Sequence, residues 1–209
     1  VRQGLINHSI SREDAIRSFR LDPEKRTVLI LGGSLGARSI NQCMIENLEK
    51  IKSSGVQFIW QTGKIYFENA ISAIAEAGEL PMLHVTDFIS DMATAYQAAD
   101  LIISRAGAGS ISEFCLLGKP VILVPSPNVA EDHQTKNALA LVNKNAALYV
   151  KDENAKDMLI NKAIETVSQM DLLENLSKNI AKLAFTDSAN VIAAEVIKAA
   201  KKYKNEHGC

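Results

Sequence analysis

Two glycine-bearing turns and one polar segment hold the residues whose types and spacing could do chemistry. Gly32-Gly33-Ser34-Leu35-Gly36-Ala37 follows the apolar run Leu29-Ile30-Leu31 without a gap, and a helical pattern starts at once with Arg38, Ile40 and Asn41. Small residues between a strand and a helix let backbone N–H groups approach an anion closely, and the helix dipole adds a favourable field, so a phosphate is the natural guest. The dinucleotide fingerprint Gly-x-Gly-x-x-Gly is not met, because Leu31 stands where its first glycine belongs, and the P-loop is not met, because Arg38 stands where Gly-Lys would begin. The acidic residue of an NAD site is absent as well, since the second strand ends in Gln61-Thr62-Gly63. The same glycines also fit a plain tight turn with no ligand.

A second small-residue turn, Arg105-Ala106-Gly107-Ala108-Gly109-Ser110, follows the apolar run Leu101-Ile102-Ile103-Ser104 and opens a helix through Ser112, Glu113, Phe114 and Leu117. Glu113, about one turn into that helix, can accept from two adjacent hydroxyls, the pattern of a ribose diol. Ser110-x-x-Glu113 also satisfies the helix capping box, in which the carboxylate bonds the backbone at Ser110 instead. The polar segment Glu131-Asp132-His133-Gln134-Thr135-Lys136-Asn137 stands after Val121–Val124 and Pro125-Ser126-Pro127-Asn128. Its Asp132, His133 and Gln134 offer donors and acceptors suited to sugar hydroxyls, or equally a solvated helix start. No second His or Cys stands at ligand spacing from His133, so neither a metal nor another cofactor is expected.

Short β-branched runs alternate with helical stretches from about residue 27 to about residue 150, which predicts an α/β fold: a Rossmann-like parallel sheet of about six strands with helices on both faces. The expected strands are Thr27–Leu31, Gln57–Trp60, Met82–Val85, Leu101–Ser104, Val121–Val124 and Ala147–Val150. Helices are expected at Ala37–Lys52, Lys64–Ala77, Met92–Ala98, Ser110–Leu117 and Glu131–Lys144, with a leading helix at Arg12–Phe19 capped by Ser11. After Lys151 only helical spacing remains, and Thr186-Asp187-Ser188 offers caps for a last helix to about Lys201. In such a sheet the carboxyl ends of all strands share one edge, so both small-residue turns can face one crevice and serve one diphosphate.

The chain has 209 residues, 47% hydrophobic and 22% charged, with 23 basic against 24 acidic side chains. That balance provides no field to draw nucleic acid. Cys43, Cys115 and Cys209 form no Cys-x-x-Cys pair, which argues against a disulfide framework or a zinc knuckle and for a reducing compartment. No run approaches the roughly 20 apolar residues of a membrane span. The start at Val1-Arg2-Gln3, without methionine, fits an excised fragment, and processing or a tag would give the same start.

Taken together, Gly32–Ala37, Thr86-Asp87-Phe88-Ile89, Ser104-Arg105-Ala106-Gly107-Ala108 with Ser112-Glu113, and Asp132–Ala138 resemble the MurG family in order and spacing over nearly the whole chain. The resemblance is to the C-terminal, donor-binding domain of UDP-N-acetylglucosamine transferases that convert lipid I to lipid II in peptidoglycan synthesis. It implies one half of a two-domain GT-B fold: residues 1–20 as interdomain segment and leading helix, 21–187 as the UDP-sugar domain, and 188–209 as a helix and tail returning toward an N-terminal domain. By matching position, the amides around Gly33 and Ser34 and those of Ala108, Gly109 and Ser110 would face the diphosphate. Glu113 would hold the ribose, the Ile89 backbone would read the uracil edge, and Phe88 would pack nearby. Gln134 and His133 would touch the sugar, and Arg2 matches a donor-site arginine. Gly109-Ser110 departs from members with a larger residue and a threonine there, and His133 from members with glutamine. The resemblance further implies a peripheral enzyme of the cytoplasmic face of the bacterial inner membrane, whose acceptor loops and general base lie in the other domain, so no catalytic residue is expected here.

Overall fold

Five-residue and shorter apolar runs, too short for helices and rich in Val and Ile, fold into six parallel strands: β1 (Thr27–Leu31), β2 (Gln57–Gln61), β3 (Leu83–Thr86), β4 (Leu101–Ser104), β5 (Val121–Leu123) and β6 (Leu148–Tyr149). The computed structural model describes residues 5, 10–33, 35–127, 132–185, 193 and 195–198. The strand order is β3-β2-β1-β4-β5-β6. This is the doubly wound order, whose connections reverse direction between β1 and β4.

Nine α-helices supply the covering layers: α1 (Arg12–Ser18), α2 (Arg38–Glu46), α3 (Leu48–Ser53), α4 (Phe67–Ala77), α5 (Met92–Ala98), α6 (Ala108–Leu117), α7 (His133–Val142), α8 (Ala155–Val167) and α9 (Met170–Ala181), counted among the described residues. Alternate residues of each strand enter two separate cores. Leu29, Leu31, Ile59, Ile102, Val121 and Leu123 pack with Ile16, Tyr96, Phe114 and Ile180 on one face. Val28, Ile30, Phe58, Trp60, Ile103 and Ile122 pack with Ile40, Met44, Leu159 and Ala163 on the other. Strands buried on both faces explain why Val28–Leu31, Phe58–Trp60, Leu101–Ile103 and Val121–Leu123 read as unbroken apolar runs rather than as alternations.

The expected helix Ala37–Lys52 is two helices, because the Asn47 side chain donates to the Cys43 carbonyl (2.9 Å) and breaks the helical backbone at φ −114°, ψ 18°. Lys64–Tyr66 is a 3-10 turn ahead of α4 rather than its first turn. The helix expected from Glu131 begins at His133, after Asp132 in the left-handed region, and ends at Val142. Ser11 caps α1 as expected, accepting from the Asp14 amide. The last helix expected to Lys201 lies largely outside the described residues. Among those described, no helix is long and apolar enough to cross a membrane.

At the amino edge of the sheet Asp100 accepts from the Thr27 amide (2.8 Å), Arg12 (2.7 Å) and Arg26 (3.0 Å), tying α1 to β1. Beside it the Lys119 ammonium donates to the Ala99 carbonyl at 3.0 Å. Burial pushes the Lys119 pKa down to about 8, with Asp100 opposing the shift and Arg12 adding to it. The unfolded chain keeps this proton to about pH 10.4 while the folded chain releases it near 8, so stability rises with pH across that window. Lys119→Met should therefore stabilise the fold by about 2 kcal/mol at pH 7, after about 1 kcal/mol is deducted for the lost hydrogen bond, and most of the gain should vanish by about pH 10.5. Urea unfolding at both pH values measures this; an equal gain at each would contradict the electrostatic account.

Candidate functional site

The register aligns Thr86, Gln61, Leu31, Ser104, Leu123 and Tyr149 along the carboxyl edge of the sheet. The turns after β1 and β4 therefore leave neighbouring strand ends and open on the same crevice, at the point where the strand order reverses. Gly32 donates its N–H to the Gln61 carbonyl at 2.9 Å, and a Cβ there would sit 2.8 Å from that same oxygen. Gly33 has φ +73° with open space where a Cβ would be, so the chain turns out toward the crevice at that residue. Helix α2 starts from Ala37 and α6 from Gly107, and neither N-cap makes a side-chain cap bond. Two helix N-termini of this kind leave backbone donors for an anion.

The crevice, of roughly 270 Å³, is lined by Leu31, Gly32, Gly33, Gln61, Phe88, Ile89, Met92, Tyr96, Ser104, Arg105, Gly107, Ser110 and Glu113. Gly33, Phe88, Ile89, Ser110 and Glu113 are thus brought together from three separate segments. Phe88 is 56% exposed and Ile89 is buried, in a loop held by the Thr86 hydroxyl donating to the Phe88 carbonyl at 3.0 Å and by the Gly63 amide donating to the Asp87 carbonyl at 3.1 Å. That arrangement presents an aromatic face and loop backbone beside the Gly32-Gly33 turn, as a base-binding wall requires.

The capping box at Ser110 and Glu113 is not formed. Helix α6 begins two residues earlier, with Gly107 as its N-cap, so Ser110 lies inside the helix and Glu113 a turn further along. The Glu113 carboxylate, 8% exposed, accepts instead from the buried Tyr96 hydroxyl at 2.7 Å.

Ala108, Gly109, His133 and Gln134 do not line the crevice. Ala108 faces a separate apolar groove with Ile111, Cys115 and Leu141. Open space surrounds the Gly109 Cβ direction, so the larger residue of some members would fit. His133 is exposed at the start of α7. The Gln134 Oε1 accepts from the Ala106 amide (3.2 Å) and the Ser126 amide (2.9 Å), so its carbonyl joins the β4 turn to the loop after β5. Arg2 and Ser34 lie outside the described residues.

Gln61, Arg105 and Tyr96 are among the lining residues that the sequence does not mark as candidates. Gln61 stands where an NAD enzyme carries its acid, and its Nε2 donates to the Gly33 carbonyl at 3.3 Å. Arg105 is the cation among the described lining residues, and its guanidinium is turned to the Val124 and Pro125 carbonyls, Ser39 and Asp152. It braces the β4 turn against the start of α2 and the segment after β6. Tyr96 left no signal, because in the sequence it is one more apolar position of α5.

The family model described as Glycosyltransferase family 28 C-terminal domain matches residues 27–192. A protein of Phocaeicola vulgatus named UDP-N-acetylglucosamine--N-acetylmuramyl-(pentapeptide) pyrophosphoryl-undecaprenol N-acetylglucosamine transferase is 77% identical over 208 residues, 100% of this chain and 55% of that protein. A protein of the same name from Bacteroides fragilis is 66% identical, over 97% of this chain and 53% of its own length. The crystal structure of Acinetobacter baumannii MurG superposes with a TM-score of 0.74 at 28% identity, covering 90% of this chain and 53% of that one. The chain thus spans about half the length of the curated relatives it matches.

Proposed function

The chain belongs to the family of glycosyltransferase family 28 C-terminal domains, and from that premise we propose that it is the donor half of an enzyme that transfers N-acetylglucosamine from UDP-N-acetylglucosamine to lipid I, forming lipid II for peptidoglycan. Its fold is the Rossmann-like half of a two-domain GT-B glycosyltransferase. The observation that carries the proposal is the convergence of the Gly32-Gly33 turn, the uncapped N-terminus of α6, an aromatic-edged loop and a carboxylate on one crevice at the reversal of strand order. A nucleoside diphosphate presents the complementary groups in that sequence: a flat base, a diol and two phosphates. The identity to relatives that bear the transferase name supports the sugar and the acceptor.

In the proposed reaction the acceptor sugar hydroxyl attacks the anomeric carbon with inversion, the bond from that carbon to the β-phosphate oxygen breaks, and UDP leaves. The base that takes the hydroxyl proton belongs to the other half of the enzyme. This half contributes to the rate by holding the diphosphate against oriented amides at Gly33 and at the start of α6, where negative charge grows as the bond breaks. The complete enzyme works as a peripheral protein of the cytoplasmic face of the bacterial inner membrane, where its lipid acceptor is found.

Calorimetry on the chain tests the donor site: UDP should bind at least about tenfold more tightly than ADP, since a loop-backbone contact to the uracil edge is lost with adenine. Equal affinities would remove the base-reading role. The chain alone should show no transferase turnover, and the protein carrying both halves should convert a lipid I analogue to the lipid II product. Release of free 2-epimerised sugar instead would assign it to another UDP-sugar enzyme of this fold.

A further inference from the structure

We propose that Tyr96 is a positioning residue that locks the Glu113 carboxylate in the orientation that grips a ribose diol; this rests on the donor reading above. Met92 and Tyr96 are four residues apart on α5, so they share a helix face, and both line the crevice. The Tyr96 ring is 3% exposed and meets Phe114 edge-on at 5.9 Å and 90°, which fixes where its hydroxyl can be. That hydroxyl donates to Glu113 Oε2 at 2.7 Å, from one helix to the next.

A phenylalanine would fill the same apolar cage, so the hydroxyl is not required for packing. Its use is chemical. A glutamate side chain has three torsions to immobilise when it binds two hydroxyls, and that lost freedom weakens the complex. A hydrogen bond from a ring that cannot move orders those torsions before the ligand arrives, in a carboxylate that lines the crevice. The same bond steadies a carboxylate held at 8% exposure.

The experiment compares UDP with 2′-deoxy-UDP on the 209-residue chain by calorimetry, for the parent, Tyr96→Phe, Glu113→Gln and the double variant. Tyr96→Phe should weaken UDP roughly five- to tenfold and 2′-deoxy-UDP under about twofold, so the preference for the ribose shrinks. In the double variant Tyr96→Phe should add almost nothing to Glu113→Gln, because the tyrosine acts through the carboxylate. A purely packing role would lower both affinities together and the melting temperature with them. If Glu113→Gln erases the ribose preference and Tyr96→Phe leaves it intact, the positioning role is wrong and the donor reading stands. If Glu113→Gln also leaves the preference intact, the ribose role of Glu113 falls, and the positioning role with it.

Discussion

Replacing Glu113 by alanine is expected to weaken UDP binding about a hundredfold, the loss of two hydrogen bonds to a charged acceptor at roughly 1.5 kcal/mol or more each. Stability should fall at the same time. The Tyr96 hydroxyl, buried and donating to Glu113 at 2.7 Å, loses its carboxylate partner, and a lost hydrogen bond to a charged group costs about 1.5–3 kcal/mol. A drop in both quantities does not by itself separate a ligand contact from a folding contact. Glu113→Gln does, because its side-chain carbonyl can still accept from Tyr96 while its NH₂ presents a donor where the diol needs an acceptor. Melting of the glutamine variant should stay close to the parent, and its affinity for UDP should still fall about tenfold or more. UDP affinity within about twofold of the parent in both variants would leave Glu113 with a structural role alone.

Much of this arrangement is legible in the sequence, and what is not has a physical cause. Runs such as Leu101–Ser104 are short, β-branched and flanked by small residues, so type and place coincide with β4. The ends are less legible because pairing with a neighbour, not propensity, decides where a strand stops. Gln61 and Thr86 join β2 and β3 by pairing with Leu31 and with each other. The break at Asn47 depends on one side chain choosing its own helix carbonyl, which residue spacing does not reveal. In the site, the two turns and Glu113 were visible because glycines and a carboxylate at a strand-to-helix junction carry chemistry in their type. Gln134 was visible for the same reason, yet its carbonyl serves two backbone amides, a use that only the meeting of two distant loops creates. Tyr96 was invisible because α5 buries it with Ala95 and Ala98, and an apolar pattern does not show where a hydroxyl points.

The second large effect is expected at a residue that does not line the crevice. Gly63 sits just past β2 with φ +77° and ψ 154°, a region that residues with a Cβ scarcely enter. A Cβ there would lie 2.4 Å from the Gly36 amide nitrogen, 2.7 Å from the Gly36 Cα and 2.8 Å from the Gly33 carbonyl oxygen. All three are backbone atoms of the turn after β1, so no side chain can swing aside. Gly36 itself has φ +84°, and its own Cβ direction runs into the Tyr66 ring and the Thr62 carbonyl. The two loops are therefore packed backbone to backbone, and the shape of the first depends on the emptiness of the second. Gly63→Ala should cost about 3 kcal/mol or more of stability and, by displacing the turn, should remove most of the UDP affinity. Gly33→Ala provides the contrast. It stands in the crevice at φ +73° with open space around it, so strain there should be only about 1 kcal/mol, while the added methyl intrudes on the phosphate position. Urea unfolding and UDP calorimetry on both variants should rank them in opposite severity: Gly63→Ala worse for the fold, Gly33→Ala worse for binding per unit of stability lost. Equal destabilisation by the two would mean that the turn yields easily, and that the close approach of the two loops does not set its shape.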